Sequence, residues 1–128
     1  MPLVRIALHA GTPPTQQRAI ADSVHQALVE TIGVPPADRF QLISEYSSDQ
    51  FIFDPSYLNI SRTNQLIILQ ITISIGRTLE QKRALYRRIT ERLNQQLGTR
   101  SEDVFINLIE VAKENWSFGQ GIAQYAPD

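Results

Sequence analysis

The chain has 128 residues, with 12 basic and 13 acidic side chains and a formal net charge of -1. That length suits one ordinary domain, residues 1–128, burying its own core, and the charge balance supplies no field for nucleic acid or for an anionic membrane surface. The lack of cysteine excludes disulfides, thiol catalysis and thiolate metal sites, and it fits a cytoplasmic protein.

The first segment, Met1 to His9, is short and alternating, which is wrong for the apolar core of a signal peptide. Cells strip an initiator methionine that precedes proline, so removal of Met1 would leave Pro2 as a terminal secondary amine. An α-amino group titrates at roughly 7.7–8, and such a group can act as an acid or a base. Retention of Met1 would instead leave the Pro2 nitrogen as an amide with no basicity. From Leu3 to His9, Val4, Ile6 and Leu8 share one face and Arg5, Ala7 and His9 the other, the period of a half-buried strand. Gly11 ends it. Thr12-Pro13-Pro14 then reads as a helix start, with Thr12 as the cap and Pro13 in the first helical position. Ile20, Val24, Ala27, Leu28, Thr31 and Ile32 follow at helical spacing, and Gly33 is the stop. Arg39 to Tyr46 alternates again, with Phe40 and Leu42 on one face, and predicts a second strand.

Ser47 to Asn64 reads as a loop or hairpin, with Asp54-Pro55 as a turn and Phe51-Ile52-Phe53 as a short edge strand. Gln65 to Ile75 is the most β-branched stretch and nearly continuous in hydrophobicity, which predicts a central strand covered on both faces. Interrupted by Gln70, Thr72 and Ser74, it is too short to span a bilayer. After Gly76, Thr78 and Gln81 match a capping box, and Leu85, Tyr86, Ile89, Leu93 and Leu97 trace one helical face to Gly98. Asp103 to Val111 is a fourth strand, and Glu114 to Asp128 is too irregular for a regular element.

The two halves repeat. Gly11, Gly33 and Asp38 recur as Gly76, Gly98 and Asp103, each 65 residues on. Two βαβ units with right-handed crossovers would form one four-stranded sheet with both helices on one face, an α+β fold. The other face would then be buried against copies of the chain, so the expected state is a homo-oligomer.

Arg77 lies just ahead of the second helix, where a cation opposes the helix dipole. It is either a solvated surface arginine or the guanidinium of a carboxylate site shared with the helix amides. Asp38 either bonds turn amides or orients a water or carbonyl. His9 and His25 lack the partner spacing of a metal site and read as structural. Trp116-Ser117-Phe118-Gly119-Gln120-Gly121 places two aromatics two apart ahead of turn-permitting glycines. That string reads as a pocket wall, or as a tail packed into the core or onto an adjacent subunit.

Taken together, Pro2, the doubled strand-helix-strand pattern, Gly33-Val34-Pro35 with Asp38-Arg39-Phe40-Gln41, Glu80-Gln81-Lys82 and Trp116 to Gly121 resemble the tautomerase superfamily, and within it the malonate semialdehyde decarboxylase branch. The resemblance implies a homotrimer with sites near subunit interfaces and no cofactor. It implies Pro2 as catalytic acid or base, Asp38 as the polar partner of substrate or water, Arg77 as carboxylate binder, and Trp116, Phe118 and Tyr125 as the apolar wall. The decarboxylase pattern has two arginines at the end of its central strand, and this chain keeps the second, with Ile75 in place of the first. The expected activity is therefore cofactor-free tautomerisation of a small or aryl 2-oxo acid. Decarboxylation or hydration of a 3-oxo acid such as malonate semialdehyde is the alternative chemistry, and a non-catalytic trimeric binding protein is the alternative class.

Overall fold

A computed structural model describes residues 2–127. Six main elements follow in chain order: β1 (Leu3–His9), α1 (Pro14–Ile32), β2 (Gln41–Tyr46), β3 (Ile67–Ser74), α2 (Leu79–Leu97) and β4 (Val104–Val111). The sheet order is β2-β1-β3-β4, with β1 parallel to β2, β3 parallel to β4, and β1 antiparallel to β3. Both parallel pairs share one register: Val4 pairs with Gln41 and Ile67 with Val104, an offset of 37 residues in each. The 65-residue repeat is thus two βαβ units joined back to back through β1 and β3.

Alternation decides the faces. Val4, Ile6 and Leu8 of β1 and Ile67, Leu69, Ile71 and Ile73 of β3 point to one side, where they form a core with Ile20, Val24 and Leu28 of α1 and Leu85, Ile89 and Leu93 of α2. Each such side chain, fully removed from water, contributes about 1.5–3 kcal/mol. Glu30 of α1 accepts from Arg88 and Arg92 of α2 across the helix pair, an exposed link worth little beside the core.

The far side of the sheet is open. Leu42, Tyr46, Phe105 and Ile109, whose strand partners are Arg5, His9, Ile68 and Thr72, all point away from the helices and are 37–49% exposed. The expectation that β3 is covered on both faces is therefore corrected for the single chain. Alternation gathers Gln70, Thr72 and Ser74 with Ile68 on the open face, so the run is one-sided despite its composition.

Three further expectations change. The α1 helix begins at Pro14, and Thr12 does not cap it; Pro13 adopts extended angles (φ -58°, ψ 144°), because the residue before a proline is driven out of the helical region. The Thr12 hydroxyl donates instead to the His9 carbonyl at 2.9 Å. The second strand starts at Gln41, two residues later than the alternation suggested. Phe51-Ile52-Phe53 joins no strand; the Phe51 ring is buried 4.3 Å from the His9 ring.

The helix ends were legible. Thr78 Oγ1 accepts from the Gln81 N–H at 3.1 Å and Gln81 Oε1 from the Thr78 N–H at 2.9 Å, closing the capping box. Gly33 and Gly98 stop the two helices at φ 71° and 69°, in the left-handed region that disfavours a Cβ.

Candidate active site

Because β1 runs antiparallel to β3, the beginning of β1 lies beside the end of β3. The parallel partners follow their strands, so the start of β2 and the end of β4 come to the same end of the sheet. Pro2, Asp38, Arg77 and Trp116 all stand just outside those four strand ends, which is how residues spread over most of the chain reach one place.

Pro2 is buried and leads into β1. It lines a cavity of about 210 Å³ together with Leu3, Phe40, Trp116, Ser117 and Phe118. Met1, whose removal would free the Pro2 nitrogen, lies outside the described residues. The walls are aromatic. The Trp116 and Phe118 rings stack at 5.4 Å and 17°, Phe118 and Phe40 at 6.5 Å and 23°, and Tyr125 meets Phe118 edge-on at 4.8 Å. Tyr125 thus supports the wall from behind without lining the cavity. The tail that carries it is folded back by Gln124, whose side chain accepts from the Phe118 N–H and donates to the Gly119 carbonyl, both at 2.9 Å.

Phe40 escaped the sequence reading as a site residue, because its alternation with Leu42 assigned it to a strand face. It sits one position ahead of β2, its carbonyl accepting from the Val4 N–H at 3.0 Å, and this bond brings its ring to the Pro2 cavity. The signal was the repeat: once β1 and β2 are set in parallel, the residue before β2 must flank the start of β1.

Arg77 is half-buried, one residue before the Thr78 cap, and its Nη1 donates to the Ser74 carbonyl at 3.3 Å. Gly76, at φ 125°, makes the turn that delivers it there. The Trp116 indole N–H donates to Ser74 Oγ at 3.0 Å, so Arg77 and the aromatic wall hang from one residue. Arg77 and Asp38 do not themselves line the Pro2 cavity.

Asp38 stands in a turn fixed by its own N–H, which donates to the Pro35 carbonyl at 2.9 Å, and by His25, whose Nε2 donates to the Pro36 carbonyl at 2.8 Å. His25 therefore does the structural work read for it. Burial pushes the Asp38 carboxyl above its ordinary value of 3.8, and among the described residues His25 and Arg77 pull in the other direction. A carboxyl that burial and a nearby guanidinium act on together is a candidate for proton transfer. The neighbouring Arg39 is committed elsewhere, donating to Asp22 at 2.6 Å and to Gln41 Oε1 at 2.7 Å.

A larger cavity, of about 470 Å³, opens at the opposite end of the sheet and includes His9, Thr12, Arg100 and Asp103. It is the site's counterpart under the repeat, but Ile67 stands there in the place of Pro2. Its carboxylate is spent on structure: Asp103 accepts from the Thr63 N–H and hydroxyl at 2.7 and 2.6 Å and from Arg100 at 3.4 Å. Among the described residues, no three His, Asp or Glu side chains gather as a metal ion would need, and no helix is long and apolar enough to cross a membrane.

Two family models, each described as tautomerase enzyme, match residues 38–119 and 2–59. The chain is 44% identical over 124 residues to the probable tautomerase YusQ of Bacillus subtilis (strain 168), covering 97% of this chain and 98% of that protein. Among solved structures, it is 40% identical to a malonate semialdehyde decarboxylase inhibited by 3-bromopropiolate, with a TM-score of 0.90 over 96% of this chain and 93% of the other. It is 30% identical to a malonate semialdehyde decarboxylase described with decarboxylase and hydratase activities, again with a TM-score of 0.90, over 96% of this chain and 95% of that one.

Proposed function

The chain belongs to the tautomerase family, and on that premise we propose that it is a cofactor-free tautomerase of a 2-oxo acid and its enol, with the Pro2 amine as the proton carrier. One observation carries the reading: among the described residues that line the cavity, Pro2 alone would offer an amine once Met1 is removed, and it shares the lining with Phe40, Trp116 and Phe118. An apolar enclosure disfavours the charged form of an amine and so leaves it available as a base.

In this reading Arg77 holds the substrate carboxylate by a charge-assisted bond, the aromatic wall takes the tail, and neutral Pro2 removes the enol hydroxyl proton. The electron pair of that O–H bond closes the carbonyl, the C=C pair takes a proton at carbon 3 from the protonated Pro2, and the amine returns to its starting state. Asp38, whose carboxyl burial raises above its ordinary value, orients the reacting oxygen or a water. The open sheet face, with Leu42, Phe105 and Ile109 exposed, supports assembly as a homotrimer of such chains.

Decarboxylation or hydration of a 3-oxo acid is the second reading, favoured by the 40% identity to a malonate semialdehyde decarboxylase. The test is a screen of small and aryl enol acids and of malonate semialdehyde with untagged protein, alongside intact mass. Ketonisation by protein that lacks Met1 is the expected result. Efficient decarboxylation without ketonisation selects the second reading, and neither activity in Met1-free protein leaves a non-catalytic trimeric binding protein.

A further inference from the structure

We propose that Ser74 is a positioning residue that ties the carboxylate-binding arginine and the aromatic wall to one strand end, and so sets the distance between the two ends of a bound substrate. The proposal rests on the tautomerase reading of the site. Ser74 is the last residue of β3, 3% exposed, with its side chain on the open side of the sheet. Its Oγ accepts from the Trp116 indole at 3.0 Å and its carbonyl from Arg77 Nη1 at 3.3 Å. Among the described residues, these are the only hydrogen bonds of the Trp116 and Arg77 side chains.

The chain path explains why one small hydroxyl can do this. Ser74 pairs with Val111 at the end of β4, and the Val111 carbonyl accepts from the Ile75 N–H at 2.9 Å. The chain then turns through Lys113–Asn115, and Trp116 reaches back to the same serine. The loop from Val111 to Trp116 is closed on Ser74 at both ends, once by strand pairing and once by the indole. Without the hydroxyl, the first closure remains and the second is lost. The indole, only half-buried, would then bond water and turn, carrying Phe118 with it. A hydroxyl at this point is not demanded by the strand, whose other open-face residues include Ile68 and Thr72 and tolerate branching.

The test uses untagged full-length protein and three variants. Trp116 is the sole tryptophan, so its indole N–H resonance reports the bond without ambiguity. Ser74→Ala and Ser74→Val should move that resonance to the position of a water-bonded indole and raise KM for an aryl enolpyruvate about tenfold, the scale of one lost hydrogen bond. In both variants kcat should stay within about twofold, since Ser74 touches groups that hold the substrate and not Pro2. Ser74→Thr, which restores the hydroxyl on the shape of valine, should recover both the resonance and KM. An unmoved resonance or an unchanged KM in Ser74→Ala overturns the proposal, as does a threonine variant no better than the valine. Wild type that turns over neither aryl nor unsubstituted enol acids defeats the functional reading and the role of Ser74 with it. Wild-type turnover that survives Ser74→Ala with its KM intact defeats only the role of Ser74.

Discussion

Asp38 and Asp103 occupy the same turn 65 residues apart, each donating its backbone N–H to the carbonyl three residues earlier, yet their carboxyls meet different surroundings. Asp103 is 1% exposed and bound by Thr63 and Arg100. Asp38 is half-buried beside the Pro2 end of the sheet, and burial raises its carboxyl above 3.8. One repeat unit uses the aspartate as a fastener, and the other sets it half-buried at the Pro2 end of the sheet.

The first prediction follows from that contrast. Asp103→Ala leaves the Thr63 N–H without its acceptor, and buried unsatisfied donors cost about 1–3 kcal/mol. Chemical denaturation at fixed protein concentration should show that loss, with kcat/KM of the remaining folded protein close to wild type. Asp38→Asn should do the reverse, lowering kcat about a hundredfold, the scale of one positioned acid or base, without loss of stability.

The same residue gives a pH prediction. A carboxyl raised in the folded state binds its proton more tightly there than in the unfolded chain. The resulting stabilisation is complete below the ordinary value of 3.8 and is lost as pH rises through the folded value, so ionised Asp38 costs stability at neutral pH. Asp38→Asn should therefore have a higher Tm than wild type at pH 7, and the gap should close below about pH 4, near the unperturbed carboxyl. A gap that is unchanged between pH 4 and pH 7 would mean that burial of Asp38 has no such effect.

The repeat, both glycine helix stops, the Thr78–Gln81 box and the Trp116–Phe118 wall were legible, because each depends on spacing along the chain or on a residue type with few alternatives. What the sequence hid depends on direction in space. Whether β3 is covered on two faces turns on which side Gln70, Thr72 and Ser74 fall, and composition does not contain that. The helix start at Pro14 was available from the rule that a proline drives its predecessor out of the helix, but Thr12 drew the cap to itself. Phe40 reaches the site through a main-chain bond to Val4, and Ser74 through a single hydroxyl, neither of which leaves a pattern in the sequence.

Phe40 offers a third prediction. Its ring lines the Pro2 cavity, stacked 6.5 Å from Phe118, and is 48% exposed, so it contributes little to the protein's own core. Phe40→Ala should raise KM for an aryl enolpyruvate about tenfold, given roughly 0.5–1.5 kcal/mol for an aromatic pair in addition to its area, while KM for an unsubstituted enolpyruvate changes less than threefold. Equal effects on the two substrates would make Phe40 a general wall and not a reader of the tail.

The last prediction concerns which reaction the site performs, and it turns on Arg77, Ile75 and Pro2. Among the described residues, the Arg77 side chain makes one hydrogen bond, to the Ser74 carbonyl at 3.3 Å. Arg77→Ala should raise KM by the worth of a charged hydrogen bond, about 1.5–3 kcal/mol or roughly 10- to 150-fold. Ile75, two residues earlier and 54% exposed, stands where a second cation would act on the same end of β3. Ketonisation needs one cation on the acid and a neutral amine. Loss of carbon dioxide from a 3-oxo acid needs the electron pair of the breaking C–C bond to be drawn toward the 3-oxo oxygen, which a protonated amine and a second guanidinium both favour. Ile75→Arg should accordingly raise decarboxylation of malonate semialdehyde more than it raises ketonisation. Pro2→Ala should lower both activities, because it replaces the ring-held secondary amine on which the proposed mechanism relies with a mobile primary amine. A variant in which the two activities rise together, or in which ketonisation alone rises, would show that Ile75 does not select the chemistry.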